Sequence, residues 1–191
     1  MITDLHPDNL KIWQDNDMEL KRYEYRMFPG DVIIDMGAYQ GDWSVQMHSR
    51  YLCNTIMFEP VPILNHFFGI PWATVVHKAA WINNGLLTFG GNAYWTSTQL
   101  DDNPQVYPCA DVSEYINSEI AVCKINIEGC EYEVLNHLID TGKIGYLRNI
   151  QVQFHMIEGH ELKYQYLAER LSKTHKISWQ VQWIWENWEK L

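Results

Sequence analysis

Apolar residues recur along the chain in short blocks bounded by glycine, proline or acidic residues. The blocks alternate with longer stretches in which apolar positions fall three and four apart. DVIIDMG predicts a strand, and DWSVQMHSRYL an amphipathic helix opening behind Gly41. TIMFEP predicts a second strand, with a short helix over Val61 to Phe68, and ATVVHKAAW a third. LLTF and AYWTSTQ, separated by Gly90, Gly91 and Asn92, predict a β-hairpin excursion. AVCKINI is the next buried strand, followed by the helix EYEVLNHLID, which Gly142 ends. NIQVQFHM continues as a strand, ELKYQYLAERLSKTH as a helix, and KISWQVQWIW as a final strand or tight pair.

Residues 1–28 are polar with scattered aromatics and hold one or two short helices, and Pro29 and Gly30 punctuate their end. Strands alternating with helices over 29–191 predict a doubly wound α/β domain. Its sheet should be mostly parallel and of the seven-stranded type, Rossmann-like, with helices on both faces and the hairpin as an insertion. The chain of 191 residues fits one domain. Ligands of such sheets bind outside the carboxyl ends of the strands, near the point where strand order reverses. That directs attention to Asp35–Gly41, Glu59 and Pro60, Ala80 and Trp81, Asn126–Glu128, and His155.

Composition narrows the partners. Hydrophobic residues make up 47% and charged residues 20%, which suits a folded chain. A formal net charge of -10, with Lys and Arg scattered, argues against nucleic acid as partner. The polar N-terminal segment carries no signal-peptide pattern, and no apolar run approaches membrane-spanning length, so a cytoplasmic protein without a membrane partner is expected. Cys53, Cys109, Cys123 and Cys130 show no C-x-x-C spacing and read as buried free thiols.

The loop VIIDMGAYQGDWS lacks the three glycines of the nicotinamide fingerprint, offering Gly37 and Gly41 alone. Glycine there lets the backbone come close to a ligand and turn into the helix. Asp35 ahead of the loop would repel a pyrophosphate and suits a cationic or ammonium-bearing ligand. Glu59 ends the next strand 24 residues on, where a carboxylate can accept bonds from both ribose hydroxyls. An ordinary tight turn and a surface glutamate are the bland alternatives. In KINIEGCEYEVL, Glu131 and Gly129 suit a helix start, where the macrodipole favours acids. Asn126 and Glu128 arrive at the strand end itself.

Taken in order and spacing, IIDMGAYQGDWS, FEPVP, VVHKAAW, KINIEGCEYEVL and IQVQFH resemble the FkbM family of S-adenosylmethionine-dependent methyltransferases, over about Asp31 to His155. The KINIEG–CE element carries most of that resemblance. It implies a class I methyltransferase domain over 29–191 that transfers a methyl group from S-adenosylmethionine to a hydroxyl, most often of a saccharide or glycan. By matched position, Asp35, Gly37, Ala38, Tyr39 and Gly41 would border the methionine part. Glu59 and Pro60 would face the ribose, and Ala80 and Trp81 would lie near the adenine. Asn126 and Glu128 would sit beneath the sulfonium and the acceptor. The family usually has Asp where this chain has Asn126, which keeps an acceptor oxygen but removes the charge.

Methyl transfer to an alcohol needs alignment and a group to take the hydroxyl proton. Glu128 is the first candidate for that base and His155 the second, beside Asn126 in the catalytic set. Lys124 divides evenly between a site role and an outward-facing strand residue. His155, Glu158 and His160 straddle a loop rather than one helix face, so no metal is expected, although magnesium at Glu128 remains compatible. Trp179, Trp183, Trp185 and Trp188 read as packing, with Trp183 and Trp185 on one strand face. Tyr39, Tyr94 and Trp95 are candidate walls for the acceptor. The aromatic-rich terminal segments could also bury a homodimer contact. The rival readings are a nicotinamide-dependent oxidoreductase and a catalytically inactive cofactor-binding module.

Overall fold

The computed structural model describes residues 7–89 and 105–191. In chain order its helices are α1 (Pro7–Asp15), α2 (Met18–Lys21), α3 (Asp42–Tyr51), α4 (Glu131–Asp140) and α5 (His160–Leu171). Its strands are β1 (Val32–Met36), β2 (Asn54–Phe58), β3 (Ala73–Val76), β4 (Ala79–Trp81) and β5 (Gly85–Phe89). They continue with β6 (Gln105–Asp111), β7 (Val122–Ile125), β8 (Asn149–Val152), β9 (His175–Val181) and β10 (Trp185–Lys190).

A seven-stranded sheet runs in the order β3-β2-β1-β7-β8-β10-β9, parallel except for β10, which is antiparallel to both of its neighbours. Strand order reverses between β1 and β7, and this switch point sets the crevice. On one face, Ile34, Met36, Cys123, Ile125, Ile150 and Val152 pack against α4 and α5. On the other, Ile33 and Val122 pack against Trp43 and Met47 of α3, with Tyr23, Tyr25 and Met27 of the N-terminal segment completing the cover. The expected doubly wound architecture is thus present.

The central strands read as almost continuous apolar runs because both faces are covered. One polar row interrupts them. Asp35, Lys124, Gln151 and Asn187 are register partners across β1, β7, β8 and β10, and all are buried. Buried polar groups have to be hydrogen-bonded, and these largely are. Lys124 pairs with Asp35, and Gln151 donates to the Tyr25 hydroxyl at 2.7 Å and to the Arg22 carbonyl at 2.8 Å. Tyr25 in turn donates to Asn187 at 3.3 Å. The row therefore fixes the N-terminal segment across the sheet.

Three local expectations are corrected. The run ATVVHKAAW is not one strand: Lys78 N–H donates back to the Val76 carbonyl at 2.7 Å, and this tight turn at His77 sends β4 into a separate sheet ordered β4-β6-β5. The helix over Val61 to Phe68 shrinks to a single 3-10 turn, Asn65–Phe67, because Pro60 and Pro62 supply no N–H and Glu59 takes that of Val61. Trp183 lies in the turn between β9 and β10 with φ 65°, so it does not share a strand face with Trp185. LLTF lies in β5, whose partner is β6, a strand the apolar pattern did not announce. AYWTSTQ, with Tyr94 and Trp95, lies outside the described residues.

Candidate active site

The loop from β1 to α3 passes very close to the strand beside it. Gly37 has φ +75°, and a Cβ there would lie 1.9 Å from the Asn126 carbonyl oxygen, so only glycine fits. Tyr39, at φ 49°, donates its N–H to Glu59 Oε2 at 2.9 Å, while Val61 N–H reaches Glu59 Oε1 at 3.0 Å. Glu59 thereby ties the loop to the end of β2. Burial raises its carboxyl above the ordinary range, although the Val61 and Tyr39 N–H groups and the Lys124 charge work against that rise. Gly41 has a different duty: a Cβ there would meet the Phe67 ring at 2.5 Å, so its small size serves packing.

Asp35 is fully buried and does not face a cationic ligand as expected. Its Oδ1 lies 2.8 Å from Lys124 Nζ, and its Oδ2 accepts the Ser44 hydroxyl at 2.7 Å. Lys124 also donates to the Gly37 carbonyl at 2.7 Å. The lysine therefore neutralises Asp35 and pins the loop, a role the sequence left undecided. It is visible only once Asp35 and Lys124 are register partners.

Two residues beyond this buried pair, on the same side of the sheet, Gly37 and Asn126 reach a cleft of about 340 Å³. Ala38, Tyr39, Gln40, Asp42, Lys124 and Gln153 also line it. Its far wall comes from Leu10, Trp13, Glu19 and Arg22 of the N-terminal segment and from Ile184 and Trp185. The Arg22 guanidinium stacks 4.0 Å over the Trp185 ring, joining the two parts of that wall. The Asn126 side-chain oxygen is buried and has no hydrogen-bond partner. An orphaned buried acceptor is costly, and at a strand end it points to a ligand donor. Gln153, Arg22, Trp13 and Trp43 were not singled out in the sequence, because only the topology brings them to this edge.

Glu128 and His155 do meet, as expected, but outside the lining of that cleft. His155 Nε2 lies 3.3 Å from Glu128 Oε2, and Nδ1 lies 2.9 Å from Glu131 Oε1. Glu131 is fully buried and accepts N–H bonds from Ile127 at 2.9 Å and Gly129 at 3.0 Å. The expectation that Glu131 merely suits a helix start is too modest, since it also holds His155. Glu128 at φ 55° and Gly129 at φ 100° are consecutive left-handed residues, a strained turn of the kind found at working sites. Burial alone would lower the His155 imidazole. The Glu131 hydrogen bond and the charges of Glu131 and Glu128 outweigh burial and raise it.

Ala80 and Trp81 do not end a strand of the main sheet. They lie in β4, buried in the second sheet. The residue that follows β3 is His77, near Glu59, whose N–H donates to the Val76 carbonyl at 3.2 Å. Both His77 ring nitrogens are buried without a hydrogen-bond partner, and Phe68 packs edge-on against the ring at 5.2 Å. Pro60 follows Glu59 and shapes the turn that lets Val61 reach back to it. Among the described residues, no group of three His, Cys, Asp or Glu side chains could hold a metal ion. Burial pushes the Cys123 and Cys130 thiols up and Cys53 to about 11, which leaves them unreactive.

No family model matches the chain, and no curated protein matches it in sequence. Solved structures do match in fold. A candidate rRNA methylase from Clostridium thermocellum superposes with TM-score 0.58 at 10% identity, covering 93% of this chain and 95% of that one. Aeropyrum pernix fibrillarin, solved with natively bound S-adenosyl-L-methionine, gives TM-score 0.51 at 9% identity, covering 91% of this chain and 74% of that one. Methanococcus jannaschii fibrillarin, a pre-rRNA processing protein, gives 0.51 at 11% identity, covering 93% and 76%. At these identities what is shared is the fold, a Rossmann-like α/β architecture with a mostly parallel sheet.

Proposed function

We propose that this chain is an S-adenosylmethionine-dependent methyltransferase acting on a hydroxyl of a small acceptor, with a sugar or glycan favoured. One observation carries the reading: at the switch point the loop of Gly37 is held by Glu59 and packs on the main chain of Asn126, whose side-chain oxygen is buried and unpartnered. Those residues fit the cofactor. A glycine with no room for a Cβ lets the loop backbone serve as contact surface, and each Glu59 oxygen retains acceptor capacity beyond its one N–H bond.

S-adenosylmethionine supplies, when bound, a methyl group carried on a sulfonium. Gly37, Ala38 and Tyr39 would border its methionine part, and Glu59 its ribose. His77 and Phe68, rather than Ala80 and Trp81, would lie near the adenine. Asn126 would offer its free oxygen beneath the reacting centre. Glu128 would accept the hydroxyl proton. Its turn sets the carboxylate two residues after Asn126 and beside His155, at the edge of the cleft rather than in its lining. The aromatic and amide groups of the cleft, Trp13, Trp43, Trp185 and Gln153, are of the kind that bind sugar rings through apolar faces and hydroxyls. The KINIEG–CE element supports an FkbM-type assignment, with Asn126 as its departure.

The test is transfer of labelled methyl from S-adenosylmethionine to a panel of saccharides by the wild type and Glu128→Gln. Transfer to a saccharide by the wild type, with binding kept but transfer lost in the variant, is the expected pair of results. Turnover that survives Glu128→Gln contradicts the assignment of the base. NADH oxidation or NAD+ reduction with no methyl transfer would support the oxidoreductase reading instead.

A further inference from the structure

We infer that Glu131 is a positioning residue for the proposed base: it fixes His155 with hydrogen on Nδ1 and leaves Nε2 facing the Glu128 carboxylate. The inference rests on the assignment of Glu128 as proton acceptor and adds a residue and a proton position to it.

Glu131 cannot turn away. It sits in the first turn of α4, fully buried, and its two oxygens accept the N–H groups of Ile127 and Gly129. With those bonds made, Oε1 lies 2.9 Å from His155 Nδ1. An ionised carboxylate only accepts, so Nδ1 must carry hydrogen. The ring's backbone is held as well, because the Tyr132 hydroxyl donates to the His155 carbonyl at 2.9 Å.

The other nitrogen then faces a choice. Nε2 lies 3.3 Å from Glu128 Oε2. A neutral ring with its hydrogen on Nδ1 would present a lone pair to that carboxylate, acceptor against acceptor. The arrangement is satisfied only when Nε2 also carries a proton, or when Glu128 does. One proton therefore lies on His155 Nε2 or on Glu128, and Glu131 is what denies the ring the alternative tautomer. When Glu128 is the carboxylate, His155 is the imidazolium. The acceptor hydroxyl then loses its proton to Glu128: the O–H bond breaks, its electron pair stays on oxygen, and the carboxylate becomes the acid. His155 orients and neutralises that carboxylate without taking the proton itself.

Among the described residues, the charged groups that face the ring are Glu128 and Glu131. Tyr132 meets its main chain, and Lys163 on α5 is paired with Glu133 at 3.0 Å.

Nitrogen-detected NMR of the His155 side chain tests this in the full chain, with or without methyl transfer. The wild type should show hydrogen on both nitrogens at neutral pH and, on raising the pH, a neutral form with hydrogen on Nδ1. Glu131→Gln keeps a carbonyl oxygen for Ile127 and Gly129 but removes the charge. In it the His155 titration should move to lower pH and the neutral form should redistribute toward hydrogen on Nε2, while Glu128→Gln should lower the titration and keep the Nδ1 hydrogen. A wild-type ring that is neutral at pH 7 with hydrogen on Nε2 alone overturns the inference without any variant. So does a titration and tautomer unchanged in a folded Glu131→Gln protein. If the ring behaves as expected but no methyl is ever transferred, the proposed function fails and the geometry of the triad stands.

Discussion

Gly37 and the Asn126 carbonyl are packed so tightly that a Cβ on the glycine would lie 1.9 Å from the oxygen. The loop after β1 and the end of β7 are thus one structural unit at the switch point. Gly37→Ala should cost about 3 kcal/mol or more, since it adds overlap with rigid backbone to a left-handed φ. Urea unfolding of the two proteins measures it. An alanine variant as stable as wild type would mean that the loop stands further from β7.

Lys124 and Asp35 form a buried ion pair, and breaking such pairs from one side is far worse than removing both charges. Lys124→Met alone should therefore lose roughly 3–5 kcal/mol of stability, by leaving Asp35 charged and unpaired. Combining it with Asp35→Asn should recover most of that loss, which a double-mutant cycle in urea will read.

Asn126 should behave in the opposite way. Its side-chain oxygen has no partner to lose, so Asn126→Ala should change stability by no more than about 1 kcal/mol in either direction. Under the proposed function the same substitution weakens adenosyl-ligand binding about tenfold, the value of one good hydrogen bond. Stability and affinity should separate cleanly here.

His155 gives the pH dependence. Its imidazole lies above the ordinary value of 6.5: burial opposes the shift, and the Glu131 hydrogen bond with the Glu131 and Glu128 charges overrides it. A group whose folded value is raised contributes its stability in full below the unfolded value and loses it as pH rises through the folded one. The stability difference between wild type and His155→Gln should therefore be largest below pH 6.5 and shrink steadily above it. A difference that grows with pH would show that burial wins.

The parts of this site that could be read in the sequence are those held by local spacing. IIDMG, FEP and KINIEG end β1, β2 and β7, and an α/β pattern already places strand ends on one edge. What could not be read depends on registers and on how the strands are ordered. Lys124 reads as an ordinary strand residue until β1 and β7 become neighbours and place it opposite Asp35. Gln153 reaches the cleft because β8 pairs with β7, and Trp185 because β10 inserts antiparallel beside β8. The misplacement of Ala80 and Trp81 has a smaller cause: a single i to i+2 turn at His77 divides an apolar run that looks continuous. Glu131 was legible as a helix-start acid, but its contact with His155 crosses from the start of α4 to the end of β8.

The most direct measurement is calorimetric titration of the full chain with S-adenosylhomocysteine and, separately, NADH, repeated with Glu59→Ala. The account predicts roughly micromolar binding of the adenosyl ligand, none of NADH, and loss of the adenosyl signal in a folded Glu59→Ala variant. Absence of adenosyl binding by the wild type, or equal binding by the variant, would contradict it.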